Sequence, residues 1–581
     1  MNLNAKNYYK YRILEIIPGL LVWSTFIIAI VLSFNWPIGG IYFIIAFDVY
    51  WILRIFYLMI YLLISWKKYR QAIKINWWSK LKKNKKYKKY YHLIFLPTAG
   101  ESWEVINETF KSLRYTNYNN KKMIIILAGE EKYKENFLKI SKQIKQKYNN
   151  IFYKIIITIH PSDLKNEIPG KGSNLYYAGN KIKKYIDENN FAYQKLIVST
   201  FDIDTLVHPD YFAYLTYKFI NHKNPYRVSF QPLAFYNNNV WKSNFITRVV
   251  ANSTTFWLLT DLARPDRLFT FSSHSMSWQA LVDINFWQNN IVTEDSRIFL
   301  QCFIYYNGEY EVEPMYIPVS MNTVYMGNFW QSIINQYKQM RRWAWGVEHF
   351  PYMVWKFRKN KKISFSKKII YIWNQTEGVY SWATAPILIS LMGYLPLYLA
   401  EKQLENNVLT QNAPIILERL MKFGMIGLLI IAIISIIILP PLPKNLNKKR
   451  YNKYLRYSLM FLQWIIFPIT MVLFGSIPAI DAQTRLMFGK YLGFWVTEKS
   501  NETIDSLKIS SEDVGSSEVQ IGFLSKKINN LTEHFKKNKN DRHSTRGLLK
   551  AVNQRKRLLE YLKNNNPESY QDILTKLKLR K

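Results

Sequence analysis

The sequence predicts an α/β domain on a mostly parallel sheet, flanked by membrane-crossing helices and followed by a basic all-α domain of about four helices. Three observations predict this. Short apolar strands alternate with polar helical stretches between residues 92 and 360, the βαβ rhythm of a parallel sheet. Apolar runs near the ~20 residues needed to cross a bilayer lie on both sides of that region. Beyond about residue 500 no such run occurs, and Lys and Arg crowd short amphipathic helices.

Residues 13–34, ILEIIPGLLVWSTFIIAIVLSF, are almost wholly apolar, and 41–65 form a second run interrupted by Asp48 and Arg54. Residues 1–66 are therefore read as two transmembrane helices. No small-residue cleavage site follows the first run, so no removable signal peptide is expected. Residues 67–91 are a basic juxtamembrane segment. The positive-inside rule puts it on the cytoplasmic face, with Trp77 and Trp78 expected at headgroup level. The stretches HLIFLPT, KMIIILAG, FYKIIITIH and KLIVSTFDID supply the strands of the 92–360 domain. Chemistry in such sheets sits beyond the carboxyl ends of the strands.

Apolar runs return at 378–400, 413–440 and 457–480, so 361–499 is read as C-terminal membrane helices with an interfacial segment. The loop Pro443–Arg456 is basic and expected inside; Glu401–Asn412 carries little positive charge and is expected outside. Three crossings would leave the C-terminus outside. The run holding Pro468 and Pro478 is therefore expected to be a re-entrant hairpin. No internal repeat is found.

The 581-residue chain carries 79 Lys plus Arg against 40 Asp plus Glu, a net charge of +39. That surplus implies an anionic partner, lipid headgroups or nucleic acid or both. The single cysteine, Cys302, excludes an internal disulfide framework and is expected to be a small buried residue.

In FDIDTLVHPDYF, an apolar strand runs directly into Asp202 and Asp204. Two carboxylates one residue apart can hold a hard divalent cation together with phosphate oxygens. Alone that pair is a weak signal, since solvated loops carry it too. Its companions are GKGSNLYYA with Lys171 and Asn174, VTEDSRIF with Glu294 and Asp295, and QMRRWAWG with Gln339, Arg341, Arg342 and Trp343. In this order the set resembles the family-two inverting glycosyltransferases, and among them the membrane-embedded synthases related to cellulose and hyaluronan synthases, over about residues 10–499.

That resemblance implies a GT-A-like nucleotide-sugar domain using Mg2+ or Mn2+. A sugar would pass from a nucleotide-sugar donor to a glycan or lipid-linked acceptor. By resemblance Asp204 is the main metal carboxylate, and Asp202 contacts metal, nucleotide or sugar. Asp295, beside Glu294, stands where the family has its general base. Gln339, Arg341, Arg342 and Trp343 match the element that holds diphosphate and acceptor. Arg grips phosphate with a bidentate fork, and Trp offers a face for a sugar ring. Lys171, with Asn174, would meet the donor's negative charge. The resemblance also implies a multi-pass inner-membrane protein with its catalytic domain on the cytoplasmic side. Some positions depart from the family. Met340 replaces a common Gln or Arg, and ILAGEE lacks the usual aspartate, leaving Glu130 as nucleotide-base candidate. In FWVTEK, similar to a gating-loop motif, Glu498 stands for the usual Pro. Donor identity and processivity stay open. His274 in FSSHSMS is expected to be structural or near the acceptor.

The tail contains GSSEVQ, LTEHF, DRHSTRGLL and RKRLLEYL. These motifs and their spacing closely resemble the bacterial small-subunit ribosomal protein S-fifteen, with NETIDSLKI as a first helix. The apolar series Leu524, Ile528, Leu531, Phe535 and Leu548, Leu549, Val552, Leu558, Leu559, Leu562 has helical period. Lys526, Lys527, Arg546, Arg555, Lys556 and Arg557 are left for phosphates. The resemblance implies that His534, Asp541 and Ser544 read a minor-groove pair of small-subunit rRNA. It also implies that Gly515, Ser517, Gln520, Arg557 and Tyr561 contact a three-way junction, aiding subunit assembly. Val514 stands for a usual Thr and Asn538 for a common His. The expected partners are thus a bilayer, a nucleotide-sugar, an acceptor, and the ribosome. Three arrangements fit: one bifunctional chain, a ribosomal function with an inert membrane half, or two proteins separated by processing.

Overall fold

The computed structural model of the chain describes residues 5–399, 408–441, 450–493, 516–537, 542–577 and 579. The chain divides into two compact units, one of residues 1–323 and 335–497, the other of 324–334 and 498–581.

The first unit holds an eight-stranded sheet in the order β3-β2-β1-β4-β7-β6-β8-β5. β1 (Tyr91–Pro97), β2 (Met123–Glu130), β3 (Lys154–His160) and β4 (Leu196–Thr200) are parallel neighbours. They come from the four stretches that predict strands. The inner ones, β1 and β2, are nearly unbroken runs of buried Leu, Ile and Phe, because helices cover both faces of a parallel sheet. The other half is mixed. β5 (Leu206–Val207) and β7 (Ser275–Ser277) run antiparallel to their neighbours, while β6 (Val228–Tyr236) and β8 (Glu311–Met321) pair in parallel. The core is aromatic, with Trp278, Trp287, Phe95 and Phe110 wholly enclosed and Cys302 buried among them.

Four helical stretches among the described residues are long and apolar enough to cross a membrane: Asn7–Asn35, Pro37–Ala72, Phe365–Leu399 and Tyr454–Met487. Helix Val408–Ile438 ends in a shorter apolar segment, Leu429–Ile438. Arg54, which interrupts the second apolar run, is matched by Glu377 of the Phe365–Ile387 helix at 2.6 Å. A lone charge in hydrocarbon costs several kcal/mol, and pairing offsets much of it.

Two expectations are corrected. The re-entrant hairpin is absent, because the chain stays helical from Arg450 to Met487. Pro468 and Pro478 lie within this helical run, each at the second residue of a segment, 467–470 and 477–487, where proline removes one N–H from the helix ladder. A short 3-10 piece at 463–466 and a π stretch at 471–476 precede those segments. Second, the basic stretch is not headgroup-facing at Trp77. The Pro37–Ala72 helix runs on into it, and Trp77 is 6% exposed, stacked on Tyr214 at 4.0 Å. Its backbone N–H donates to Asp210 at 3.0 Å. Trp78 packs edge-on against Tyr87 and Tyr118. Burying such rings against the α/β domain is worth roughly 2 kcal/mol apiece.

Within 498–581 of the second unit, the described residues form three helices, Ser517–Lys537, Arg542–Asn565 and Pro567–Leu577. NETIDSLKI and FWVTEK both lie outside the described residues. The helices close on Val519, Ile521, Leu562 and Ile573, with Leu558 and Leu559 partly buried beside them. Leu549, expected in the core, is exposed. Ser569 of the third helix donates to Glu518 of the first at 2.7 Å.

Candidate functional site

The carboxyl ends of β1, β2 and β4 open onto one side of the sheet, and each contributes a turn. After β1, Glu101 folds back to accept from Thr98 Oγ1 at 2.6 Å and from the Ala99 N–H at 2.7 Å. Near the end of β2, the Ala128 carbonyl accepts from Asn174 Nδ2 at 2.9 Å. After β4, the chain turns through Asp202 and Asp204.

Lys171 is delivered by the start of helix Lys171–Glu188, which buries Leu175, Ala178, Ile182 and Ile186, a helical stripe against the sheet. Gly170 has φ +154 and ψ −164, a conformation open essentially to glycine alone. A Cβ on Gly172 would stand 3.0 Å from the Gln288 carbonyl oxygen and 3.3 Å from Glu294 Cβ. The two glycines therefore let this helix start press against the turn that carries Glu294 and Asp295.

Three carboxylates converge on the Lys171 ammonium. It donates to Asp202 Oδ1 at 2.7 Å and to Asp295 Oδ2 at 2.6 Å, and Glu294 Oε1 lies 3.7 Å away. Burial alone would lower the lysine's pKa, but Asp202, Asp295 and Glu294 together raise it. Burial, then the charge of Asp295, raises the pKa of Glu294. Glu294 Oε2 and Asp295 Oδ1 are buried and accept no hydrogen bond. Asp202 is held on its other side by Ser272 Oγ at 2.7 Å. Asp204 is 6% exposed, and its Oδ2 accepts from the Asn322 N–H at 3.1 Å. Asp202 and Asp204 are thus fixed by the protein rather than left to solvent. Among the described residues no three His, Cys, Asp or Glu side chains enclose a metal by themselves.

Helix Phe329–Ala344 carries the Gln-Met-Arg-Arg-Trp element. Trp343 packs on Tyr236 with ring centroids 5.7 Å apart. Tyr236 ends β6, and its pKa is raised by burial and by the charges of Asp202, Asp204 and Asp295, with Arg342 opposing. Trp343 and Arg342 therefore stand at the carboxylate cluster. Gln339 accepts from Gln336 Nε2 at 3.2 Å. Arg341, expected at donor or acceptor, is engaged elsewhere, donating to Asp481 at 2.9 Å. Met340 is buried. His274 is buried, its Nδ1 3.0 Å from the Phe271 carbonyl, and burial lowers its pKa.

Ser272, Tyr236, Asn322 and Asp481 were not singled out from the sequence. The run FSSHSMS gave no signal for Ser272. Tyr236 had none, being one of 42 tyrosines with no motif around it.

In the second unit, Gly515 and Asp541 lie outside the described residues. His534 and Ser544 fall within helices Ser517–Lys537 and Arg542–Asn565. Ser517 and Gln520 occupy the first turn of the former. Arg557 and Tyr561 are one helical turn apart and exposed, so they share a face. Arg555 is not left for phosphate: it donates to Ser525 of the neighbouring helix at 3.2 Å, and burial lowers its pKa.

Comparisons with known proteins divide at the same place. The model of the family "Ribosomal protein S15" matches residues 499–580, and that of "Glycosyl transferase family group 2" matches residues 197–477. The small ribosomal subunit protein uS15 of Pelagibacter ubique is 54% identical over 86 residues, 15% of this chain and 100% of that protein. That of Leptospira biflexa is 54% identical over 84 residues, 14% of this chain and 96% of that protein. Among solved structures, a mannosyltransferase from Pyrobaculum calidifontis in complex with GDP-Man and Mn2+ aligns over 71% of this chain and 99% of its own, with TM-score 0.38 and 12% identity. TarS residues 1–349 of S. aureus align over 58% of this chain and 90% of their own, with TM-score 0.29 and 11% identity.

Proposed function

The chain belongs to the ribosomal protein S15 family through residues 499–580 and carries a glycosyl transferase family group 2 domain at 197–477, and from that premise we propose one chain with two functions. The first unit is a membrane glycosyltransferase that moves a sugar, with inversion, from a nucleotide-sugar to a glycan or lipid-linked acceptor. The second binds small-subunit rRNA at a three-way junction and aids subunit assembly. Both work on the cytoplasmic side of the inner membrane.

The observation that carries the enzymatic reading is the Lys171 ammonium bridging Asp202 and Asp295. It ties the residue placed for the donor to the residue placed for the acceptor. Asp295 is the general base, accepting the proton of the acceptor hydroxyl as that oxygen attacks the anomeric carbon. Glu294 beside it is buried, and burial and the charge of Asp295 raise its pKa. Lys171 and Arg342 take the negative charge that develops on the departing diphosphate. Trp343 presents a ring face to the acceptor sugar, and Asn174 holds the helix start that carries Lys171 against β2.

Asp202 and Asp204 suit Mg2+ or Mn2+, which prefer hard oxygen donors and share their coordination with phosphate and water. Such an ion, when bound, would neutralise diphosphate charge.

In the RNA-binding unit, Arg557 and Tyr561 with Ser517, Gln520 and Gly515 face the junction, while His534, Asp541 and Ser544 read the shallow minor groove. Duplex RNA offers mainly shape, backbone and 2′-hydroxyl contacts there.

The test is sugar transfer by the purified chain in lipid, using a panel of nucleotide-sugars. Asp295→Asn is expected to cut turnover ~10²–10⁴-fold with donor affinity kept. Unchanged turnover would remove Asp295 as the base.

A further inference from the structure

We propose that Asp481, on a membrane helix, is a positioning residue for the donor- and acceptor-binding face of helix Phe329–Ala344. Both of its carboxylate oxygens are engaged. Oδ1 accepts from Arg485 Nε at 2.7 Å, and Oδ2 accepts from Arg341 Nη1 at 2.9 Å and the Tyr337 hydroxyl at 3.3 Å. Tyr337 and Arg341 are four residues apart and so lie on one face of their helix. At about 100° per residue, Gln339, Arg342 and Trp343 point to the opposite face. That front face carries Trp343 onto Tyr236. Asp481 thus grips the back of the helix whose front meets the carboxylate cluster.

The grip matters because helix Ile477–Met487 is itself fixed in the membrane bundle. Gly19 of the first helix lies so close that a Cβ there would stand 2.9 Å from Met487 Cβ and 3.0 Å from the Gln483 carbonyl oxygen. Gln483 Nε2 donates to the Val379 carbonyl at 2.8 Å, and Trp23 Nε1 donates to Thr484 Oγ1 at 2.9 Å. Arg12 Nη2 donates to the Met487 carbonyl at 2.9 Å. The bundle therefore sets the position of Asp481, and Asp481 sets the height and rotation of Arg342 and Trp343. An ion pair supported by a hydroxyl, with only a quarter of the carboxylate exposed, is a directional link rather than a loose surface contact.

The proposal rests on Arg342 and Trp343 being the donor- and acceptor-binding residues. The experiment is steady-state transfer by the full chain in lipid, comparing Asp481→Asn, Arg341→Met, their double variant, Asp481→Glu and Arg342→Ala. A displacement near 1 Å costs on the order of 100-fold in rate. Asp481→Asn is expected to lower kcat/KM ~10–100-fold, mainly through kcat, and Arg341→Met to do likewise. The double variant should be no worse than either single change, as for two residues acting as a unit. Asp481→Glu should recover part of the loss, which a purely structural role would not show. Wild-type kinetics for Asp481→Asn alongside a crippled Arg342→Ala would overturn the positioning role alone. Wild-type kinetics for Arg342→Ala would instead overturn the binding assignment beneath it. If Asp481→Asn does not fold, Tyr337→Phe, which removes a single hydroxyl, decides. A ~3-fold loss in kcat supports the link, and no change sinks it.

Discussion

Lys171 and Asp295 lie 124 residues apart in sequence, and their side chains meet at 2.6 Å. The ammonium also reaches Asp202 and leaves Glu294 within 3.7 Å, so one cation balances three acidic groups. Replacing it with Met leaves those groups uncompensated. Breaking a fully buried pair costs ~3–5 kcal/mol, and the loss is smaller here because the Asp202 side chain is 34% exposed. Lys171→Met is expected to lower stability by about 2 kcal/mol and transfer by at least ~100-fold. Thermal melts and initial rates on the same preparation check both.

Asp204 is expected to be the carboxylate whose loss changes metal response most. Asp204→Asn should raise the Mn2+ concentration for half-maximal transfer ~10–100-fold, and chelation should silence the wild type. A metal titration curve that does not move for Asp204→Asn would contradict the assignment.

Glu130 gives a pH-dependent signature. Burial, and then the charge of Glu101, push its pKa from 4.5 up to about 6. The folded state therefore holds that proton more tightly than the unfolded chain. The resulting stability is complete below about 4.5 and is lost as pH rises through about 6. Glu130→Gln should match the wild type near pH 4 and exceed it by about 2 kcal/mol at pH 8. Chemical denaturation at the two pH values measures the difference, and an equal gap at both would refute the cause.

On the proposed role, the second unit should show a salt-dependent affinity for junction RNA. Arg557→Ala in the full chain is expected to flatten the log–log salt slope by ~0.7–1. Tyr561→Ala should weaken binding by ~1–3 kcal/mol if the ring stacks on a base. Filter binding at several salt concentrations, against an unrelated hairpin, separates the two effects. Arg555→Ala should instead act on stability, since Arg555 is tied to Ser525.

Half the sheet was legible because β1 to β4 are short, apolar and bounded by turns. The other half was not. β6 carries Pro232 and β8 carries Pro314 and Pro318, and proline within a strand reads as a reason against one. The structure tolerates them because β5 covers only Val319 and Ser320 of β8, and because the β6–β8 register slips between Pro232 and Leu233. The carboxylates and Lys171 were readable as motifs, since their roles depend on residue type and order. Ser272, Tyr236 and Asp481 depend on three-dimensional approach and left no such trace. Trp77 was misplaced because its neighbours are lysines: local charge suggested a lipid surface, whereas stacking on Tyr214 decided its position.

The two compact units are joined in one polypeptide. Their stoichiometry is therefore set at synthesis, one ribosomal protein S15 domain for each glycosyl transferase family group 2 domain. Any change in the output of one half is matched by the other without a regulator, and only a cut between them would let the two amounts diverge.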